Sequence, residues 1–219
     1  MAEIKAIVFD FDGVLANSEP LHLRAYQAVL AELGIRLDRE EYYAHYLGYD
    51  DATAVKVISA RRGQRWSEAQ ISEILARKTV VFDDIVASAE VLYPQAAPCV
   101  RRLAGSLPLG IASGALRHEI EAILRGADLD GCFRFIVAAG ETPASKPAPD
   151  PYRRAAELHG VAPGRCVAIE DSRWGIASAK EAGLRCVGIT QTYAADALPG
   201  ADAIIDSLDE FTVELLNSL

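Results

Sequence analysis

The chain has 219 residues, 51% of them hydrophobic, with 22 Lys and Arg against 31 Asp and Glu and a formal charge of -9. That length and apolar content predict a core-forming domain with a smaller insert. The acidic balance argues against a nucleic-acid or anionic-membrane surface, so an anionic substrate must be met by locally placed cations.

Residues 6–9 (Ala-Ile-Val-Phe) read as a strand buried on both faces, and the run ends abruptly in Asp10 and Asp12 before Gly13 turns the backbone. In open α/β sheets ligands sit beyond the carboxyl ends of strands, so the two aspartates emerge where chemistry is usually placed. The chain then changes character. Ser18 is positioned to cap a helix over residues 19–33, with Pro20 in its first turn and Gly34 as its stop. Asp38 with Glu41, and Ser67 with Gln70, have capping-box spacing, and residues 51–61 form another helical pattern between them. Residues 17–90 therefore read as a helical insert, splitting the α/β domain into residues 1–16 and 91–219.

The α/β alternation resumes after Tyr93-Pro94. Residues 109–112, 135–138, 166–169, 186–189 and 203–205 are short apolar runs separated by helical patterns, which predicts five further parallel strands and a Rossmann-like sheet with the first strand central. Asp150-Pro151 opens one connecting helix and Gly160 closes it, Gly183 follows another, and Ser207 with Glu210 is expected to open the last. Cys99, Cys132, Cys166 and Cys186 include no C-x-x-C pair, which predicts buried thiols of a cytoplasmic protein. No apolar run reaches the length of a membrane span or forms a signal segment, and neither a membrane nor an obligate protein partner is expected.

Later strand ends also carry polar signals. Ser113-Gly114 fits a phosphate held by a hydroxyl and backbone N–H groups at a helix N-terminus, and equally fits ordinary turn chemistry. Lys146 stands in Ser-Lys-Pro-Ala-Pro-Asp, where the prolines stiffen the backbone around it. Glu170-Asp171-Ser172 repeats the pattern of the first strand, an apolar run ending in acids. Two such acid pairs suit a hard cation, while a helix N-cap alone explains the second.

Taken together, Asp-x-Asp-Gly-Val, Ser-Gly, Lys-Pro-x-Pro-Asp and Glu-Asp-Ser resemble the four-motif signature of the haloacid dehalogenase superfamily, over residues 6–183. The insert after the first motif resembles that superfamily's helical cap, and the closest resemblance is to the subgroup of β-phosphoglucomutase, phosphoglycolate phosphatase and other sugar-phosphate phosphatases. The resemblance implies that Asp10 is the nucleophile and Asp12 the acid and base. It implies Mg²⁺ held by Asp10, the Asp12 carbonyl and Asp171, with Glu170 in direct contact or acting through water. Ser113, Gly114 and Lys146 would hold the phosphoryl group.

His22 matches a histidine that contacts the general acid or the substrate in the mutase, and also reads as an ordinary exposed helix residue. Lys78 and Arg117 fall near positions that face the cleft in relatives, although surface solvation explains both as well. The mutase's Gly-x-x-Arg loop corresponds here to Gly48-Tyr49-Asp50-Asp51, an acid replacing the arginine that grips a distal phosphate. If Asp51 faces the cleft, Asp51→Arg should raise affinity for bisphosphates. Tyr42, Tyr43, Tyr46 and Tyr49 suit helical packing or a cleft lining. These implications favour a Mg²⁺-dependent phosphatase for a small phosphorylated metabolite. A phosphosugar mutase and a non-catalytic binding protein that keeps the fold are the alternatives.

Overall fold

The computed structural model describes residues 3–47, 49–87 and 91–219. These form two compact units, one of Met1–Asn17 with Val91–Leu219 and one of Ser18–Glu90. Gly48, and the end of the insert expected near residue 90, lie outside the described residues.

The first unit is built on a parallel sheet of β1 (Ala6–Phe9), β2 (Leu109–Ala112), β3 (Phe133–Val137), β4 (Cys166–Glu170), β5 (Arg185–Ile189) and β6 (Ala203–Ile205), in the order β3-β2-β1-β4-β5-β6. β1 is central because it is apolar on both faces: Ala6, Ile7, Val8 and Phe9 are all fully buried. Each larger side chain so buried contributes about 1.5–3 kcal/mol. The order reverses at β1, with β2 on one side and β4 on the other, so the chain ends of these strands flank a topological switch point. β1, β2 and β6 have the expected bounds. β3 starts two residues earlier than the apolar run suggested, since the pleat continues through Phe133 and Arg134 at the sheet edge.

The connecting helices are α5 (Ala96–Ala104), α6 (Arg117–Gly126), α7 (Asp150–His159), α8 (Arg173–Glu181) and α9 (Val213–Ser218). α7 begins with Asp150-Pro151 and ends at Gly160, whose φ of 67° lies in the left-handed region that favours glycine. The expected opening of the last helix at Ser207 is corrected. Glu210 does reach back to the Ser207 N–H (3.1 Å), but it closes a turn, and α9 starts at 213 under a Thr212 cap. The buried Phe211 between them packs edge-on against Phe9. All four cysteines are free thiols; Cys99, Cys166 and Cys186 are buried and Cys132 is half-buried.

The second unit contains α1 (Glu19–Glu32), α2 (Arg39–His45), α3 (Asp51–Arg61) and α4 (Glu68–Ala87), with no strand among its described residues. Its core gathers Leu23, Tyr26, Leu30, Tyr42, Tyr46, Val55, Ile58 and Ile74. Tyr42 and Tyr46 are thus packing residues, whereas Tyr49 is exposed. The Ser67–Gln70 box closes in both directions. Only half of the Asp38–Glu41 box forms, because the Glu41 carboxylate is held by Tyr46 and Arg62. Ser18 departs from expectation: its backbone is already helical and its hydroxyl caps no N–H of α1. Among the described residues no helix is long and apolar enough to cross a membrane.

Candidate active site

The site grows from the ends of β1 and β4. Sheet pairing extends one residue past β1, the Asp10 N–H donating to the Ile169 carbonyl (3.0 Å), so Asp10 is held level with Glu170. The Phe11 N–H then donates to Asp10 Oδ1 (2.7 Å), which fixes the carboxylate over its own backbone. Two glycines make room. Gly13 turns at φ 76°, and a Cβ there would run into the Asp171 carboxylate. A Cβ on Gly175, in the first turn of α8, would occupy the place of the Glu170 carboxylate. Ser172 caps α8 by accepting from the Gly175 N–H (3.1 Å). The helix therefore starts close against the acids.

Lys146 enters from the segment before α7. Its Nζ lies 2.8 Å from Asp10 Oδ1 and donates to Glu170 Oε1 at 2.6 Å. Tyr152, fully buried on α7, donates its hydroxyl to the same Glu170 oxygen (2.6 Å), and its ring centroid is 5.0 Å from the ammonium. Asp10, Glu170 and Asp171 each present a carboxylate oxygen within 4.8 Å of the others.

Three buried carboxylates thus face one ammonium. Burial, reinforced by the Glu170 charge and only partly offset by Lys146, holds the Asp10 carboxyl well above the usual range. The same two causes push Asp171 up to about 7. Burial works to lower the Lys146 pKa, but Asp10 and Glu170 outweigh it and raise it. When all four groups are ionised, the cluster carries two more negative than positive charges. A divalent cation that prefers oxygen ligands has the charge and chemistry to balance it, so the donor set fits Mg²⁺.

The other sequence-marked residues distribute as follows. Ser113 and Gly114 lie past the end of β2, and the β1–β2 register, Phe9 beside Ile111, sets them at the same sheet end as Asp10. Ser113 is buried and its hydroxyl accepts from the Ala115 N–H (3.0 Å), while Gly114 is exposed. Asp12 is half-buried, two residues beyond Asp10. Arg117 is not among the partners of the cluster. Its guanidinium is forked onto Glu141 (2.6 and 2.8 Å) and also donates to the Ile136 carbonyl (2.7 Å) and Glu121 (3.3 Å). Its donors thus serve α6, β3 and the loop after β3.

His22 belongs to the helical unit and to a second polar cluster. Lys78, only 1% exposed, sets its Nζ 2.8 Å from His22 Nδ1 and donates to Asp51 Oδ2 (2.7 Å). Tyr26 donates to the other Asp51 oxygen (2.6 Å), and the His22 ring stacks on Phe82 with centroids 4.2 Å apart. Burial and the Lys78 charge lower the His22 pKa to about 3, so its imidazole is neutral and Nδ1 accepts from the lysine.

Two expectations are corrected here. Lys78 is buried and not solvated, and both Asp51 oxygens are committed inside the unit. An Asp51→Arg change would set a second cation against Lys78, and is no simple route to bisphosphate affinity.

Tyr152 was not marked by the sequence. Its signal was faint: an aromatic six residues after Lys146, in the first turn of the helix that follows the lysine, which any buried helix face also supplies.

Comparisons with known proteins agree with this geometry. The chain matches the haloacid dehalogenase-like hydrolase family over residues 4–183. Protein CbbY of Rhodobacter capsulatus is 32% identical over 225 residues, covering 99% of each chain. Hexitol phosphatase B of Escherichia coli is 32% identical over 215 residues, covering 97% of this chain and 96% of that protein. A crystal structure of a CbbY variant from Rhodobacter sphaeroides in complex with xylulose 1,5-bisphosphate superposes with a TM-score of 0.84 at 32% identity, covering 94% of this chain and 96% of that one. With the motif residues gathered at one sheet end and the likeness running through almost the whole chain, this protein belongs to the haloacid dehalogenase-like hydrolases.

Proposed function

We propose that the protein is a Mg²⁺-dependent phosphatase of small sugar phosphates that works through an aspartyl-phosphate on Asp10, with the helical unit as its cap. The observation that carries this reading is the buried Asp10–Lys146–Glu170–Asp171 cluster. Asp10, Asp171 and the Asp12 carbonyl would hold the cation, with Glu170 beside it. When bound, the cation offsets repulsion between the Asp10 carboxylate and the phosphate dianion.

The chain's own groups then divide the work. Phe11 N–H and Lys146 both bond Asp10 Oδ1, which leaves Oδ2 to attack phosphorus. The bond to the ester oxygen breaks as this bond forms, and Asp12 gives its proton to the departing alkoxide. Asp12 then takes a proton from the water that splits the aspartyl-phosphate. Lys146, tethered on its far side by Glu170, neutralises phosphoryl oxygens without drifting, as does the Ser113–Gly114 turn by hydrogen bonding.

The mutase alternative requires a cation in the cap for a distal phosphate. The position that the resemblance assigns to it is Asp51, and the nearby Lys78 is already bound to Asp51 and His22. That supports hydrolysis over isomerisation. The test is phosphate release from a panel of hexitol, hexose and pentulose mono- and bisphosphates with Mg²⁺, with glucose 6-phosphate formation from β-glucose 1-phosphate followed separately. Release from at least one sugar phosphate is expected. No turnover across the panel would revive the non-catalytic reading, and rapid isomerisation with little release would establish the mutase.

A further inference from the structure

Three consecutive side chains after β5 reach three different elements. The Thr190 hydroxyl donates to Asp206 Oδ1 (2.6 Å), and its N–H donates to the Ile205 carbonyl (3.0 Å), which anchors the segment to the end of β6. Gln191 sets one end of its carboxamide 2.7 Å from the Gly13 carbonyl oxygen and 3.0 Å from the Val14 carbonyl oxygen, in the turn that follows Asp12; two acceptors there assign that end to the amide nitrogen as donor. Thr192 sets its hydroxyl beside the Asp171 carboxylate, both facing the same side of the Gly13 turn. Its Oγ1 and Asp171 Oδ2 both crowd the open face of Gly13, where a Cβ would displace them.

We infer that Thr190-Gln191-Thr192 is a clip that orients the metal-side carboxylate of Asp171 and the Asp12 turn relative to one another, with Thr192 as the positioning residue for Asp171. The physical argument is one of lone pairs and of rigidity. A carboxylate that lies among other carboxylates is repelled toward solvent unless a donor holds one of its oxygens. Thr192 carries the hydroxyl placed to act as that donor, on a segment pinned to the neighbouring strand. Gln191 does the same for backbone, bridging two consecutive carbonyls that the tight Gly13 turn leaves pointing outward. Strand pairing fixes Asp10 beside Glu170, and beyond that pair Asp12 and Asp171 sit on separate loops that this tripeptide bridges. Partners of this kind typically change metal affinity by about 10- to 100-fold when removed.

The inference rests on the divalent-metal reading of the site, and its test reads metal binding directly. Full-length protein stripped with chelator is titrated with Mn²⁺ and followed by electron paramagnetic resonance of the free ion, with Mg²⁺ competition by calorimetry. Thr192→Val keeps the shape and removes the donor; Thr192→Ser keeps the donor. Thr192→Val should weaken Mn²⁺ binding about tenfold or more, Thr192→Ser should restore most of it, and the melting temperature of the metal-free variants should match the parent.

Because Thr192 is exposed, the valine variant is expected to fold; if it does not, Thr192→Ala replaces it in the same titration. Equal Mn²⁺ affinity in parent and valine variant overturns the clip, and so does a serine variant as weak as the valine one. A parent that binds no Mn²⁺ overturns the metal reading itself, an outcome distinct from a parent that binds and a variant that binds equally well.

Discussion

Two buried polar clusters among the described residues are made of nearly the same parts, and they differ in stoichiometry. In the sheet unit three carboxylates share Lys146, and the Asp10 and Asp171 pKa values rise. In the helical unit Lys78 meets one carboxylate, a tyrosine hydroxyl and a neutral imidazole. Burial works to raise the Asp51 pKa there, but the lysine outweighs it and holds that carboxyl below its usual range. Buried charge is tolerated when it is paired and hydrogen-bonded, and the second cluster meets that condition from its own side chains. The first has more carboxylates than its one lysine can pair, a surplus that protonation or an added cation balances.

The sharpest break in this comparison is Asp10→Asn against changes in the helical cluster. Asp10→Asn should remove turnover, because no aspartyl-phosphate forms. Asp12→Asn should cost about 10²- to 10⁴-fold in rate while retaining substrate. Steady-state phosphate release measures both, and near-parental turnover by Asp10→Asn would show that the sheet cluster is not the reacting centre.

Next in size is Lys78→Met, which leaves the half-buried Asp51 with Tyr26 as its remaining side-chain donor among the described residues. It should cost about 3 kcal/mol of folding free energy, somewhat less in practice because Asp51 is about a third exposed. Urea denaturation reads the loss. Asp51→Asn combined with Lys78→Met should be less destabilised than the two single changes predict together, since the groups form one network.

Adding Mg²⁺ at about 100 times its dissociation constant should stabilise the parent by about 2.7 kcal/mol. The shift in thermal midpoint should vanish in Asp171→Asn and survive in Lys78→Met. A shift that survived in Asp171→Asn would move the cation elsewhere.

A further difference between the clusters is a pH slope. His22 has a folded pKa of about 3 against an ordinary value of 6.5, so between these limits the unfolded chain binds more protons than the native one. Stability contributed by the neutral His22 is therefore complete above pH 6.5 and falls as pH drops toward 3, by at most about 1.4 kcal/mol per pH unit. The Asp51, Lys78 and Phe82 groups that face the ring are common to both proteins when parent and His22→Gln are compared, and the difference in their slopes isolates the imidazole. Parallel slopes would mean that His22 is already solvated.

The motif residues and the sheet were legible in the sequence because both are local statements. Residues 6–9 are apolar at every position, which specifies a central buried strand, and a strand that ends in Asp-x-Asp places its acids at a known end of the sheet. Asp10, Lys146, Glu170 and Asp171 could be marked as candidates at strand ends or on proline-stiffened backbone, and it was their joint resemblance to a four-motif family that singled them out.

What only the tertiary structure decided was partnership. Tyr152, Gln191 and Thr192 carry no motif, and they matter because the crossovers bring α7 and the loop after β5 against strands that are distant in sequence. Asp51 and Lys78 are separated by 27 positions, and only helix packing makes them a buried pair. Arg117, with the charge to suit a phosphate, is instead forked onto Glu141, 24 positions on. Charge and periodicity are properties of short stretches and survive reading in one dimension. Which donor meets which acceptor depends on contacts between elements that the chain order does not place side by side.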